Sequence, residues 1–283
     1  MHAGGIQSSS SARCFGQREW TPANDQAKTH RASGDTRQLT MLVSHHHRFI
    51  FTKTIKTAGT SVEGYFERYC MPEGEWRESH MRPQHVSPAG IVGFRGHLPR
   101  WPFQPRWYNH MPAHRIRTLV GRRIWNDYFK FTVVRNPFDK LVSEYHFLAS
   151  WQRPPTLYAR LRSCFRGGGV GVLPIRHAED STLIANFRAW IRAGCSMLDR
   201  DTYMIDGLEC VDEFIRFENL SAGIASVCRR VDVPFQPDRI PTYKMGIRHH
   251  RIPLRDYYDE ETRAIVGRLY AWEIERFGYE LPS

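Results

Sequence analysis

No run of eighteen or more apolar residues occurs in the chain, and its first residues carry no apolar stretch of the signal-peptide kind. Those absences speak against a helical membrane span and a secretory leader, so a soluble, cytoplasmic protein is expected. No CxxC pair occurs among the six cysteines, Cys14, Cys70, Cys164, Cys195, Cys210 and Cys228. Zinc sites and disulfide frameworks announce themselves by such spacings, so buried free thiols are expected and no metal site. His45-His46-His47 and His249-His250 lack carboxylate or thiol companions at ligand spacing. The nucleotide-binding pattern G-x-x-x-x-G-K-[ST] is missing as well, which argues against an ordinary ATPase loop.

What is present suits a folded domain with an anionic partner. Of the 283 residues 41% are hydrophobic and 13% aromatic, enough to fill a sizeable core, and the formal charge is +11. The tail before His45 supplies only two of those positive charges, so the basic excess belongs to the body of the chain. Nucleic acid, a phosphorylated cofactor or an acidic sugar would each match it. Residues 1–44 are rich in Ser, Gly, Ala, Thr and Gln without periodicity and read as a disordered extension, leaving 45–283 as a single domain.

The chain is organised around Arg48 to Cys70. Phe49-Ile50-Phe51 reads as a short strand, and Val62, Tyr65, Phe66 and Tyr69 recur at helical spacing. Between them lies Lys56-Thr57-Ala58-Gly59-Thr60-Ser61, small residues that let backbone amides approach an anion at a helix N-terminus, with Lys56 adding a point charge. A second strand, Phe129 to Val134, runs into Arg135, and Asn136-Pro137 then start a helix. Arg135 stands at the carboxyl edge of the sheet, where open α/β sheets bind ligands. Its planar fork suits a phosphate, and Ser143 in the following helix can add a hydroxyl. The competing structural reading of Arg135 is an ion pair at the strand edge.

Two histidines are candidate bases: His97, after Arg95-Gly96 in a loop region rich in aromatics, and His110, just ahead of a helix predicted over 113–120. Further helices are predicted at 122–128, 182–193, 219–231 and 260–277, and short strands at 90–94 and 213–217. The segment 153–176, with Gly167-Gly168-Gly169, reads as a flap over the acceptor. The basic loop 244–251 could close over a nucleotide.

Together, K-T-A-G-T-S after one strand and V-R-N-P-F-D-K-L-V-S after another resemble the paired cofactor motifs of carbohydrate sulfotransferases that use 3′-phosphoadenosine-5′-phosphosulfate (PAPS). A soluble bacterial-type member is the nearer comparison, and the resemblance runs from about Arg48 to Leu281. It implies an α/β fold with a central, mainly parallel sheet flanked by helices, P-loop-like at the nucleotide. It also implies transfer of the sulfuryl group of PAPS to a hydroxyl of a saccharide or glycolipid acceptor, leaving adenosine 3′,5′-bisphosphate and requiring no metal.

By the same resemblance Lys56, Thr57, Gly59, Thr60 and Ser61 hold the 5′-phosphosulfate, Arg135 and Ser143 hold the 3′-phosphate, and Lys53 falls where some members carry an extra basic residue. Lys56 would also be catalytic, with His97 or His110 as base. Ile55 stands where members usually have proline, a departure expected to loosen the loop. A small-molecule kinase using ATP and Mg²⁺ is the alternative class. A nucleic-acid-binding module is a weaker one.

Overall fold

The fold is that of a computed structural model describing residues 41–96, 105–108, 110–151, 179–194, 196, 198–243 and 252–281. Backbone contacts divide the chain into Met1–Thr36 and Arg37–Ser283, and every described residue belongs to the second unit. The expected disordered extension therefore lies outside the described residues up to position 40. Its last residues do not fit that reading. Leu42–Ser44 form strand β1, fully buried, and three residues are too few for a periodicity to register in the sequence.

Alternation within very short strands builds the layers. In β2, Phe49–Phe51, successive side chains face opposite sides. Phe49 and Phe51 enter one core with Leu42, whereas Ile50 enters another with Met41 and Val43. The first core is closed by Val62, Tyr65 and Phe66 of helix α1 (Gly59–Phe66) and by Ile224 and Val227 of a later helix, 220–230. The second is closed by Ala113 and Ile116 of α2 (Ala113–Val120) and Trp125 of α3 (Arg122–Asp127). Apolar residues at every position of β2 are thus required by helices on both faces.

The remaining strands are β3 (His85–Ser87), β4 (Gly90–Val92), β5 (Phe129–Val134), the hairpin β6 (Met204–Ile205) and β7 (Leu208–Glu209), and β8 (Glu213–Arg216). The main sheet has the order β3-β4-β1-β2-β5-β8. Only β2–β5 and β5–β8 pair in parallel, while β1–β2, β1–β4 and β3–β4 are antiparallel. The sheet is therefore mixed, which corrects the expectation of a mainly parallel one. Helical crossovers carry the chain from β2 to β5 and from β5 to β8, and such connections make parallel neighbours. Short turns after β1 and β3 force antiparallel ones. Close approach is built in at Gly90, where a Cβ would lie 2.2 Å from the Val43 carbonyl oxygen.

Helix α4 (Pro137–Trp151) begins as the Asn136-Pro137 pair predicts, with the Asn136 side chain accepting the Phe138 amide at 3.0 Å. Its Leu141, Val142 and Tyr145 pack with Phe187 and Trp190 of α5 (Asp180–Arg192) and Val266 of α7 (Glu260–Leu269), a third, helical core. The helix at Leu220–Arg230 is α6. The single helix predicted over 260–277 is two, α7 and α8 (Ala271–Phe277), separated at Tyr270 (φ −108°, ψ 23°). The flap at 153–176, the basic loop at 244–251 and His97 all lie outside the described residues.

Candidate active site

The loop that follows β2 takes its shape from hydroxyls and from two left-handed residues. Thr54 donates to the Val133 carbonyl of the neighbouring β5, and its hydroxyl lies 2.7 Å from that of Thr57. Lys56 and Ala58 both have φ of 59°, uncommon for side chains with a Cβ. Ala58 caps α1, and its carbonyl accepts the amides of Ser61 (2.8 Å) and Val62 (3.3 Å). Gly59 and Thr60 supply the first-turn amides, which lack intrahelical acceptors and carry the positive end of the helix dipole. Thr57 is almost fully buried, so its hydroxyl shapes the loop from inside.

Lys53 has a different place from Lys56. Its ammonium donates to Glu63 (2.8 Å) and to the Thr60 hydroxyl (3.0 Å), and the residue is only 3% exposed. Glu63 also pairs with Arg95 at 2.9 Å, and Glu67 pairs with Arg95 and Arg82. Burial pushes the Glu67 carboxyl up, although Arg95 beside it pulls the other way. This network braces the loop and α1 against the segment that ends at Gly96. Its acidic members, Glu63 on α1 and Glu67 just past its end, were missed in the sequence.

Asp139, Ser143 and Phe147 follow one another at i, i+4 and so lie along one stripe of α4, and Arg135 stands just before the helix. Arg135 donates to Asp139 (2.7 Å), lies 4.0 Å above the Phe217 ring and donates to the Lys56 carbonyl at 2.9 Å. The Lys56 ammonium sits 4.1 Å from the Phe147 ring centroid. Ser143, half-buried, lies on this stripe between the partners of the two cations. The ion-pair reading of Arg135 is thus realised, and the same guanidinium joins the second motif to the first loop.

His110 is brought to the loop as well. Its Nδ1 is 2.8 Å from the Lys53 carbonyl. A carbonyl only accepts, so Nδ1 carries a proton in this contact. Tyr108, two residues earlier, is half-buried with Arg115 stacked 4.8 Å from its ring.

A residue with no local sequence signal completes the loop. Asp199, 5% exposed, accepts the Ile55 amide at 2.6 Å and the Lys140 ammonium at 2.6 Å. Ile55, expected to loosen the loop, is therefore held through an N–H that proline lacks. Asp199 and Lys140 line a cavity with Thr54, Thr57 and Arg135.

Among the described residues, no group of three or more His, Cys, Asp or Glu side chains could hold a metal ion, and no helix is long and apolar enough to cross a membrane. No curated protein and no solved structure shows significant similarity to the chain. Residues 39–163, which carry the loop, His110, Arg135 and Ser143, match the model described as the sulfotransferase family, so over this stretch the chain is similar to sulfotransferases.

Proposed function

We propose that the protein transfers the sulfuryl group of PAPS to a hydroxyl of an acceptor, with a carbohydrate or glycoconjugate as the acceptor class. One observation carries the reading: Lys56 and Arg135, from the ends of two parallel strands, rest on a single stripe of α4 on either side of Ser143. Two cations, a hydroxyl and a helix N-terminus so grouped fit a ligand with two separate phosphate groups. The half-buried Tyr108, two residues before His110, favours a sugar, whose faces stack on aromatics.

When bound, PAPS supplies an activated sulfuryl group attached to a phosphate leaving group. Lys56 and the amides of Gly59 and Thr60 neutralise charge on the phosphosulfate, and Arg135 with Ser143 takes the 3′-phosphate. The Ser61 amide already serves Ala58, so Ser61 contributes through its hydroxyl. His110 accepts the acceptor's proton on Nε2 while the Lys53 carbonyl holds its Nδ1–H. The acceptor oxygen forms a bond to sulfur, the sulfur–phosphate oxygen bond breaks, and its electron pair leaves on adenosine 3′,5′-bisphosphate. Positioning and fixed charge do most of this work, as in phosphoryl transfer.

Calorimetric titration with adenosine 3′,5′-bisphosphate, beside ATP with Mg²⁺, tests the reading. Wild type should bind the bisphosphate selectively. Arg135→Ala should weaken that binding by about 10–100-fold, the equivalent of one charge-assisted contact. A preference for ATP, or no binding of either nucleotide, would overturn the proposal. Nothing in the family match or in the described residues favours the kinase reading.

A further inference from the structure

Both oxygens of the Asp199 carboxylate are engaged, and by donors of different kinds. Oδ2 takes the backbone N–H of Ile55, the residue before Lys56, and Oδ1 takes the ammonium of Lys140 on the second turn of α4. Each contact is 2.6 Å long, and both partners are almost fully enclosed with Asp199 5% and Lys140 5% exposed. Asp199 is itself pinned, since its carbonyl accepts the Thr202 amide at 3.0 Å and the Thr202 hydroxyl at 2.7 Å. The loop touches α4 directly at Arg135, through the Lys56 carbonyl. Asp199 therefore provides a second, independent tie between the same two pieces, one residue earlier in the loop.

We infer that Asp199 is the positioning residue of the phosphate loop: with Lys140 as its fixed counter-ion, it holds the Ile55 amide and so sets where the following Lys56 and the α1 N-terminus stand. The inference rests on the proposed PAPS reading for its ligand. A carboxylate is required by the chemistry of the position. Two donors converge on it, and an asparagine side chain would present an acceptor to one and a donor to the other. Lys140 keeps the buried carboxylate charged, since an unpaired buried charge is strongly disfavoured.

The test compares Asp199→Ala/Lys140→Met, which removes both charges together, with Lys140→Met alone and with wild type. Amide hydrogen exchange at Ile55 is read by NMR on ligand-free protein, alongside the thermal midpoint and the dissociation constant for adenosine 3′,5′-bisphosphate. The double variant should exchange Ile55 at least about tenfold faster and bind the bisphosphate about tenfold more weakly, with core amides in β5 still protected. Lys140→Met, which retains the acceptor for Ile55, should leave Ile55 protected.

If the double variant does not fold, Asp199→Asn carries the test, and faster Ile55 exchange is again expected. Unchanged Ile55 exchange in the deciding variant overturns the inference. If wild type binds no bisphosphate, the proposed function falls, and the exchange measurement still decides the role of Asp199.

Discussion

A Cβ added to Gly59 would stand 2.7 Å from Cγ of Lys53 and 3.0 Å from its Cε, far inside contact distance. The lysine stem cannot swing aside freely, because its ammonium is fixed by Glu63 and Thr60 in a buried pair. Glycine at position 59 is thus demanded by the lysine that crosses it, and the proposed approach of an anion to its amide would demand it again. Gly59→Ala must either displace Lys53 from Glu63 or shift the first turn of α1. Overpacking of this kind costs about 1–3 kcal/mol, and the shifted amides would also lose part of their grip on a phosphate. The expected result is a lower thermal midpoint together with roughly tenfold weaker binding of adenosine 3′,5′-bisphosphate, a fold-change worth about 1.4 kcal/mol. Wild-type stability and affinity in Gly59→Ala would show that Lys53 does not confine the loop. The same geometry distinguishes the two lysines: Lys53 is spent on Glu63, while Lys56 leans on Phe147.

Helix α7 illustrates how a single cap can connect elements. The Asp259 carboxylate accepts the Thr262 amide at 2.9 Å and the Thr262 hydroxyl at 2.7 Å, and the Thr262 hydroxyl in turn accepts the Asp259 amide at 3.0 Å. Arg192, at the end of α5, adds a contact of 2.5 Å, so the cap also ties α5 to α7. Burial works against the Asp259 charge, but the Thr262 donors and Arg192 outweigh it and hold the carboxyl at about 2, below its ordinary 3.8. A carboxyl lowered in the folded state stabilises it above the unfolded value and loses that contribution as pH falls through the folded one. Asp259→Ala should therefore cost about 1 kcal/mol near neutral pH, and the gap from wild type should close as pH drops from about 4 towards 2. Thermal melts of both proteins at pH 6 and pH 3 measure it. A gap that stays constant across that range would assign Asp259 a packing role in place of an electrostatic one. The tie from this cap to α5 was not legible ahead of the structure because Arg192 lies in another helix. The break at Tyr270 was hidden for a different reason: neither glycine nor proline marks it, and the apolar spacing continues through it.

At the scale of the molecule, what the sequence disclosed was local and what it concealed was long-range. The loop 56–61 and the run from Val134 to Ser143 could be read because strand, turn and helix N-terminus follow each other within a few residues. The direction of the sheet could not, because it depends on β1, three residues long, and on hairpins whose strands carry no period. Asp199 was equally invisible, since its partner Ile55 is 144 residues away. These long contacts place the proposed ligand site across two layers. Loop 56–61 belongs to the sheet, whereas Ser143 belongs to a helix whose other side is buried with α5 and α7. A ligand held by both would resist global unfolding, because unfolding either layer destroys its site. At one hundred times its dissociation constant such a ligand adds about 2.7 kcal/mol of stability. In a chain of this size that corresponds to a rise of roughly 5–10 °C in the thermal midpoint. Adenosine 3′,5′-bisphosphate should give that rise in wild type, and ATP with Mg²⁺ at the same concentration should give much less. In Arg135→Ala, with affinity lowered about thirtyfold, the same bisphosphate concentration leaves less than about 1 kcal/mol and a shift of only a few degrees. Equal shifts for both nucleotides would mean that the two layers recognise a generic polyphosphate, and the pairing of Lys56 with Arg135 across α4 would then carry no selectivity for the 3′-phosphate.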